Sequence, residues 1–409
     1  MIADNTIKEC VCVTGANGYL GSHIVRELLE TNQFRVIGTI RHDPESTNPT
    51  ITQKFHHLFQ LPNATRENLK LFKADLLEEG SFDEAISQSQ YVIHTACPFY
   101  LTPTLESAQD AEEKLFIPAV SGTRNVLNSV KKYGQHIKRV VVTSSTGALI
   151  GFAERVFGQV YTEMDWNEKS TITNNPFAFS KTMAEREAWK WHQELVKTQD
   201  NDELNINKRE KCTVELVSLN PVLILGPPLH LKYLNNYPNA MHQNDNLNST
   251  ESETLPSFQE YNAQVNLNFS CKLLYNLIMK SKMYPHDHSL GTTTKADGMS
   301  IVDVRDVARA HCLALTQPHV NGHRFILVSE KCQWIRMSRI ICEHFPNLAV
   351  KPPLIIKDEM DEEEGLYKML NFSNEKFLRA FSNQYNEFIS ADKTIIDTVQ
   401  SFIEGGLIQ

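Results

Sequence analysis

The chain has 409 residues, with 40 lysines and arginines against 49 aspartates and glutamates, a formal net charge of −9. That acidic balance argues against the basic face of a nucleic-acid binder, and no apolar run is long enough to span a bilayer. A hydrophobic content of 41% with 22% charged residues is that of a globular protein with one large domain or two closely joined ones.

The N-terminus, MIADNTIKECVCVTG, has neither the basic region nor the long apolar stretch of a signal peptide, and the fold is expected to start almost at once. The eight cysteines form no CxxC pair and no zinc-like cluster. They are expected to be buried free thiols of a cytoplasmic protein, and no metal is expected.

In chain order, CVCVTG reads as an apolar strand running into the glycine-rich loop TGANGYLG. An amphipathic helix follows, with Ile24, Val25, Leu28 and Leu29 on one face. FRVIGTIR, LKLFKADL, QYVIHTAC and KRVVVTSST read as further buried strands. SFDEAISQ and AVSGTRNVLNSVKKYG read as helices, the second ending near Gly134 with basic residues in its last turn. A long helical pattern begins at NNPFAFSKTMAEREAW, and CTVELVSLNPVLILG reads as one more strand. Strands alternating with helices predict a parallel sheet covered on both faces.

The polar stretch 196–211 reads as a helix extension or surface loop, and 234–260 as a disordered insertion. MSIVDVRDVARAHCLAL reads as a strand leading into an amphipathic helix. The acidic run at 357–365 and His-Asp-His at 286–288 read as solvated segments rather than metal sites.

In the strand–loop–helix context, the glycines have distinct tasks. Gly15 permits the tight turn, Gly18 lets the backbone approach a pyrophosphate, and Gly21 lets helix and strand pack closely. Asn17, Tyr19 and Leu20 complete the loop. At the end of the second strand an acidic residue would suit the ribose of NAD, but the sequence is GTIRHDP. Arg41 can pair with a 2′-phosphate through its planar fork, which favours NADP, while Asp43 nearby keeps NAD possible.

These motifs, with KADLLEEGSFDEAI, VIHTACPF, VVVTSST, SKTMAE, LNPVLILGPPL, IVDVRDVARAH and SFIEGGLI, occur in an order that resembles the extended short-chain dehydrogenase/reductases. The resemblance is to the dihydroflavonol 4-reductase and cinnamoyl-CoA reductase group. It implies a doubly wound α/β domain over residues 1–222 plus about 300–318. The remainder, about 223–299 and 319–409, would form a smaller substrate lobe.

The resemblance also implies site residues. Asp75 and Leu76 would lie beside the adenine, and Thr95 and Ala96 beside the nicotinamide ribose. Lys181 would hold the ribose hydroxyls, Pro221 and Val222 would touch the carboxamide, and Ser145 would be the active-site hydroxyl with Ser144 beside it. Asp303 and Arg305 are expected to form a structural salt bridge.

One position departs from the family pattern. The catalytic tyrosine, four residues before the lysine, falls on Phe177. General acid catalysis is worth about 10²–10⁴-fold, so three readings compete. The first is an NADP-dependent reductase of a small-molecule carbonyl compound, slowed at the acid step. The second is a non-catalytic cofactor-binding protein. The third is a nucleotide-sugar epimerase or dehydratase. The sequence names neither the substrate nor the oligomeric state.

Overall fold

The structure, a computed structural model, describes residues 8–99, 107–151, 154–202, 214–234, 267–283, 298–348, 350 and 367–408. Almost all of the expected insertion at 234–260, the acidic run and the His-Asp-His segment lie outside these residues.

Seven parallel strands form the main sheet. In chain order they are β1 (Glu9–Thr14), β2 (Phe34–Ile40), β3 (Leu69–Lys73), β4 (Tyr91–His94), β5 (Arg139–Thr143), β7 (Glu215–Pro221) and β10 (His323–Leu327). Their spatial order is β3-β2-β1-β4-β5-β7-β10. The order therefore reverses between β1 and β4, the kind of place where open α/β sheets bind ligands outside the carboxyl ends of their strands.

Strand and helix burial follow the apolar pattern. Val11, Cys12 and Val13 of β1 are fully buried, as are Ile24, Val25, Leu28 and Leu29 on the helix Tyr19–Thr31. Each such large aliphatic side chain contributes about 1.5–3 kcal/mol by leaving water. The helix Val304–Thr316 packs on the helix Tyr19–Thr31 and shares its core cluster.

The sequence reading needs two corrections here. CTVELVSLNPVLILG is not one strand. Pro221 has no N–H to continue a ladder, and beyond it β8 (Leu223–Leu225) joins a second, three-stranded sheet. That sheet has the order β11-β9-β8, with β9 at Gly298–Asp303 and β11 at Glu330–Gln333. Residues 323–327, expected in the substrate lobe, instead close the main sheet by pairing with β7. The five-residue run HRFIL is too short to show from periodicity alone which sheet it enters. Phe377, Phe381 and Tyr385 pack over it in the same core cluster.

The second sheet, with the helices Phe269–Met283, Trp334–His344 and Ala391–Glu404, encloses a separate core around Leu274, Tyr275, Ile341 and Phe402. Asp303, fully buried, caps the helix Val304–Thr316 and pairs with Arg305. Arg305 in turn reaches Asp397 on the helix Ala391–Glu404. A small parallel ladder joins β6 (Val160–Tyr161) to β12 (Asn371–Phe372). No helix among the described residues is long and apolar enough to cross a membrane. The seven cysteines among the described residues are unpaired, and five of them are buried.

Candidate active site

The glycine loop leaves β1 in a turn only glycine adopts easily: Gly15 has φ +66° and lies against Ala96, where a Cβ would come within 3.0 Å of the Ala96 Cα. A Cβ on Gly21 would overlap the Gly15 carbonyl oxygen. The helix Tyr19–Thr31 then starts at Gly18 with no side-chain cap and no acidic residue in its first turn. Its first N–H groups are free to meet an anion. The loop is therefore shaped to admit a phosphate against bare backbone.

Three loop side chains face elsewhere. Leu20 is buried in the core, and Asn17 Nδ2 donates to the Lys54 carbonyl at 3.2 Å. Tyr19 sends its hydroxyl to the Gly226 carbonyl at 2.8 Å, and burial raises its pKa. Arg41 is exposed at the end of β2. Beside it Lys54 Nζ lies 3.4 Å from His42 Nε2, and burial, Lys54 and Arg41 together hold His42 below its usual pKa. Lys54 was not singled out in the sequence, because it lies thirteen residues beyond Arg41 in an irregular segment.

Beyond β3, Asp75 Oδ1 accepts the Leu77 N–H at 2.9 Å, and the Leu76 carbonyl accepts from Asn125 at 2.8 Å. Thr95 and Ala96, after β4, both donate their N–H groups to Thr14 Oγ1 at 3.1 Å. His94 orders this contact. Its Nδ1 is 2.9 Å from Thr14 Oγ1, and its Nε2 is 3.2 Å from Thr123 Oγ1. Since Thr123 donates to the Ala119 carbonyl at 2.7 Å, its oxygen must accept from Nε2–H. The bare Nδ1 then takes the Thr14 proton. Burial first, then the charge of Lys181, lowers the His94 pKa to about 3, so the ring is neutral at ordinary pH.

At the end of β5, Ser145 has extended backbone and accepts the Gly147 N–H at Oγ, 3.1 Å away. Its own hydroxyl hydrogen has no acceptor among the described residues. The turn Thr146–Ala148 rests on the helix Pro176–Asp202, and the Gly147 carbonyl accepts from Asn167 Nδ2 at 2.8 Å. Lys181, half-buried, lines a crevice with His94, Ala96, Cys97, Ser144 and Glu185. Its ammonium makes no hydrogen bond or ion pair with any described residue. Pro221 and Val222 are buried at the end of β7, and the Val222 N–H donates to the Leu327 carbonyl at 3.1 Å.

Phe177 begins the same helix, one turn before Lys181, and its half-buried ring meets Phe99 edge-on at 4.8 Å. Phe99 also lies 5.5 Å from Phe269 of the substrate side. Tyr161, a phenol that precedes this helix in the chain, is buried on the small ladder, where its hydroxyl accepts the Val156 N–H at 2.7 Å. His94, Phe99 and Glu185 lie inside the motifs VIHTACPF and SKTMAE but take no role from them, and Phe269 lies outside every motif.

This arrangement can hold an extended anion along backbone amides and present a hydroxyl donor and an ammonium at its other end. Residues 11–199 match the model of the NAD dependent epimerase/dehydratase family. A cinnamoyl-CoA reductase of Medicago truncatula is 31% identical over 353 residues, 85% of this chain and 84% of that protein. A putative NADPH-dependent methylglyoxal reductase of Candida albicans is 28% identical over 96% of this chain and 98% of its own. Among solved structures, yeast methylglyoxal/isovaleraldehyde reductase Gre2 complexed with NADPH is similar with a TM-score of 0.71 and 25% identity. That likeness covers 97% of this chain and 98% of that one.

Proposed function

The chain belongs to the NAD dependent epimerase/dehydratase family, and from that premise we propose that it is an NADP(H)-dependent reductase of a small-molecule carbonyl compound. The observation that carries the reading is an uncapped glycine loop packed against Ala96, a residue that lines one crevice with Lys181 and with Ser144, the neighbour of Ser145. The whole-length likeness to reductases supports the same reading.

The cofactor would fit this loop, because the helix opens at Gly18 with neither a side-chain cap nor an acidic residue, and Gly15 and Gly21 let the chain turn tightly enough to expose those amides. The amides that follow Gly18 would hold the pyrophosphate. Arg41 with Lys54 would hold a 2′-phosphate, and Asp75 and Leu76 would flank the adenine. Thr95, Ala96 and Lys181 would meet the nicotinamide ribose, with Pro221 and Val222 at the carboxamide. When bound, the nicotinamide supplies the hydride.

Ser145 is the carbonyl's hydrogen-bond donor. Its oxygen accepts the Gly147 N–H and its hydrogen has no acceptor among the described residues, so the hydroxyl is free to donate to a substrate oxygen. Lys181 adds positive charge where oxygen becomes anionic. Phe177 preserves the ring of the expected tyrosine but carries no proton. The alkoxide must then take its proton from water or from the Lys181 ammonium, at a cost of up to about 10²–10⁴-fold in rate. A cofactor-binding protein without catalysis is the second reading, and Phe177 is the observation that favours it.

The test is NADPH oxidation across a panel of aldehydes and ketones, with NADPH affinity titrated in parallel. Turnover of any carbonyl substrate supports the reductase. Tight NADPH binding with no turnover supports the second reading, and no binding of either nicotinamide cofactor removes both.

A further inference from the structure

The carboxyl ends of β5 and β7 and the amino end of β10 converge with the helix Pro176–Asp202 on one buried carboxylate. Glu185 lies one turn beyond Lys181, is 1% exposed, and lines the same crevice. Arg324 Nε and Trp189 Nε1 donate to its Oε1 at 2.7 and 3.1 Å. Ser144 Oγ, Asn220 Nδ2 and Arg324 Nη2 donate to its Oε2 at 2.6, 2.8 and 3.1 Å. These donors fill the acceptor capacity of a carboxylate. Burial opposes its ionisation, but the Arg324 charge and the hydrogen bonds outweigh burial and hold the carboxyl below its usual range. Arg324, itself buried, sits 3.8 Å over the Trp166 ring and donates to the carbonyls of Glu163 and Asp165 at 3.1 and 2.7 Å.

The groups gathered here flank the reacting end of the crevice. Ser144 precedes Ser145. Asn220 precedes Pro221, and its Nδ2 also donates to the Ser145 carbonyl at 3.2 Å. The Ser145 backbone is thus tied on both sides to Glu185, whose own helix turn carries Lys181. Stability alone does not call for such a pair, since apolar residues of similar volume often serve a core as well or better.

We propose that Glu185, held by Arg324, is a positioning residue that fixes the Ser145 hydroxyl and the Lys181 ammonium relative to each other across the crevice. The catalytic consequence rests on the reductase reading, whereas the placement does not.

The test compares the parent, E185Q, and the double variant E185Q/R324Q, all full-length. E185Q leaves Arg324 buried without its counter-charge. The double variant removes both charges and leaves two amides able to pair. Melting temperature, NADPH affinity, kcat and KM on the best carbonyl substrate, and crystal structures are the readouts. E185Q should lower kcat by about 10- to 100-fold, the scale of a misplacement near 1 Å, with NADPH affinity within about threefold. The double variant should regain melting temperature but not kcat, with Ser145 and Lys181 displaced relative to each other.

If kcat returns together with melting temperature, the pair is structural only and the proposal is overturned. If E185Q does not fold, the double variant carries the comparison. Should the parent reduce no carbonyl, the reductase reading fails on its own, and the crystals decide the placement. Ser145 and Lys181 unmoved in the double variant would overturn it, and their displacement would sustain it.

Discussion

The two ends of the crevice are built from different materials. At the glycine-loop end the open polar groups are backbone N–H groups of an uncapped helix start, and the local side chains turn away, Tyr19 to Gly226 and Asn17 to Lys54. At the Lys181 end the groups are side chains, and their placement depends on contacts between residues far apart in sequence, such as Arg324 with Glu185 and Phe99 with Phe269. A backbone site tolerates changes of side chain but not of main-chain geometry. A side-chain site can lose one group while the frame around it stays.

The sharpest break at the first end is Gly21→Val. Its Cβ would overlap the Gly15 carbonyl, which is backbone and cannot swing aside. NADPH binding should weaken by about 10²-fold or more, read by fluorescence titration with circular dichroism as a check on folding. Retained affinity would mean that the loop does not hold the cofactor.

Acid should loosen the sheet half first. His23, His57 and His94 have pKa values lowered to about 3 and His311 to about 4, in each case chiefly by burial. All four lie on elements packed with the main sheet. Between these values and about 6.5 the unfolded chain binds protons that the folded chain does not, so stability is full above pH 6.5 and falls as pH drops. Each histidine contributes a slope approaching about 1.4 kcal/mol per pH unit in that window. Melting temperature measured from pH 8 to pH 5 should be flat above 7 and fall steeply below 6.5. A flat profile down to pH 5 would show that these rings are not buried neutral.

At the second end, Phe177→Tyr should leave NADPH affinity unchanged and raise carbonyl reduction by about 10²-fold if proton delivery limits the parent. Little change in a parent that already turns over briskly would mean that Lys181 or water supplies the proton well enough. No turnover from either version would favour the binding-protein reading.

The contrast between the two ends also explains what the sequence made legible. The glycine loop, the strands β1 to β5 and the face Ile24, Val25, Leu28 and Leu29 are local patterns, and each residue's role follows from its near neighbours. The salt bridge Asp303–Arg305 is local too, two residues apart. Glu185 and Arg324 are 139 positions apart, and His94 looks like an ordinary strand residue until Thr14 and Thr123 are brought to its two nitrogens. The strand His323–Leu327 was misplaced for the same reason, since its partner β7 lies a hundred residues upstream and five apolar residues do not name a sheet.

Cofactor choice gives a smaller effect. Arg41→Ala should weaken NADPH by about 1.5–3 kcal/mol, the value of a hydrogen bond to a charged group, and NADH hardly at all. Lys54 beside it should retain part of the preference, so Lys54→Ala alone should cost less. Equal affinities of the parent for NADPH and NADH would refute the assignment.

The smallest expected effect probes the aromatic ledge. Phe99 is 46% exposed, yet its ring meets both Phe177 and Phe269. An aromatic pair contributes about 0.5–1.5 kcal/mol beyond its buried area, and an exposed ring adds little to folding. Phe99→Ala should therefore leave melting temperature and NADPH affinity nearly unchanged. If substrate lies against the ledge, KM should rise about 3- to 10-fold, with kcat preserved because the lost contact is equal in ground state and transition state. A drop of several degrees in melting temperature would place the ring in the core instead. A fall in kcat at constant KM would mean that Phe99 orients Phe177 against the reacting carbonyl, and the two ends of the crevice would then differ less than their materials suggest.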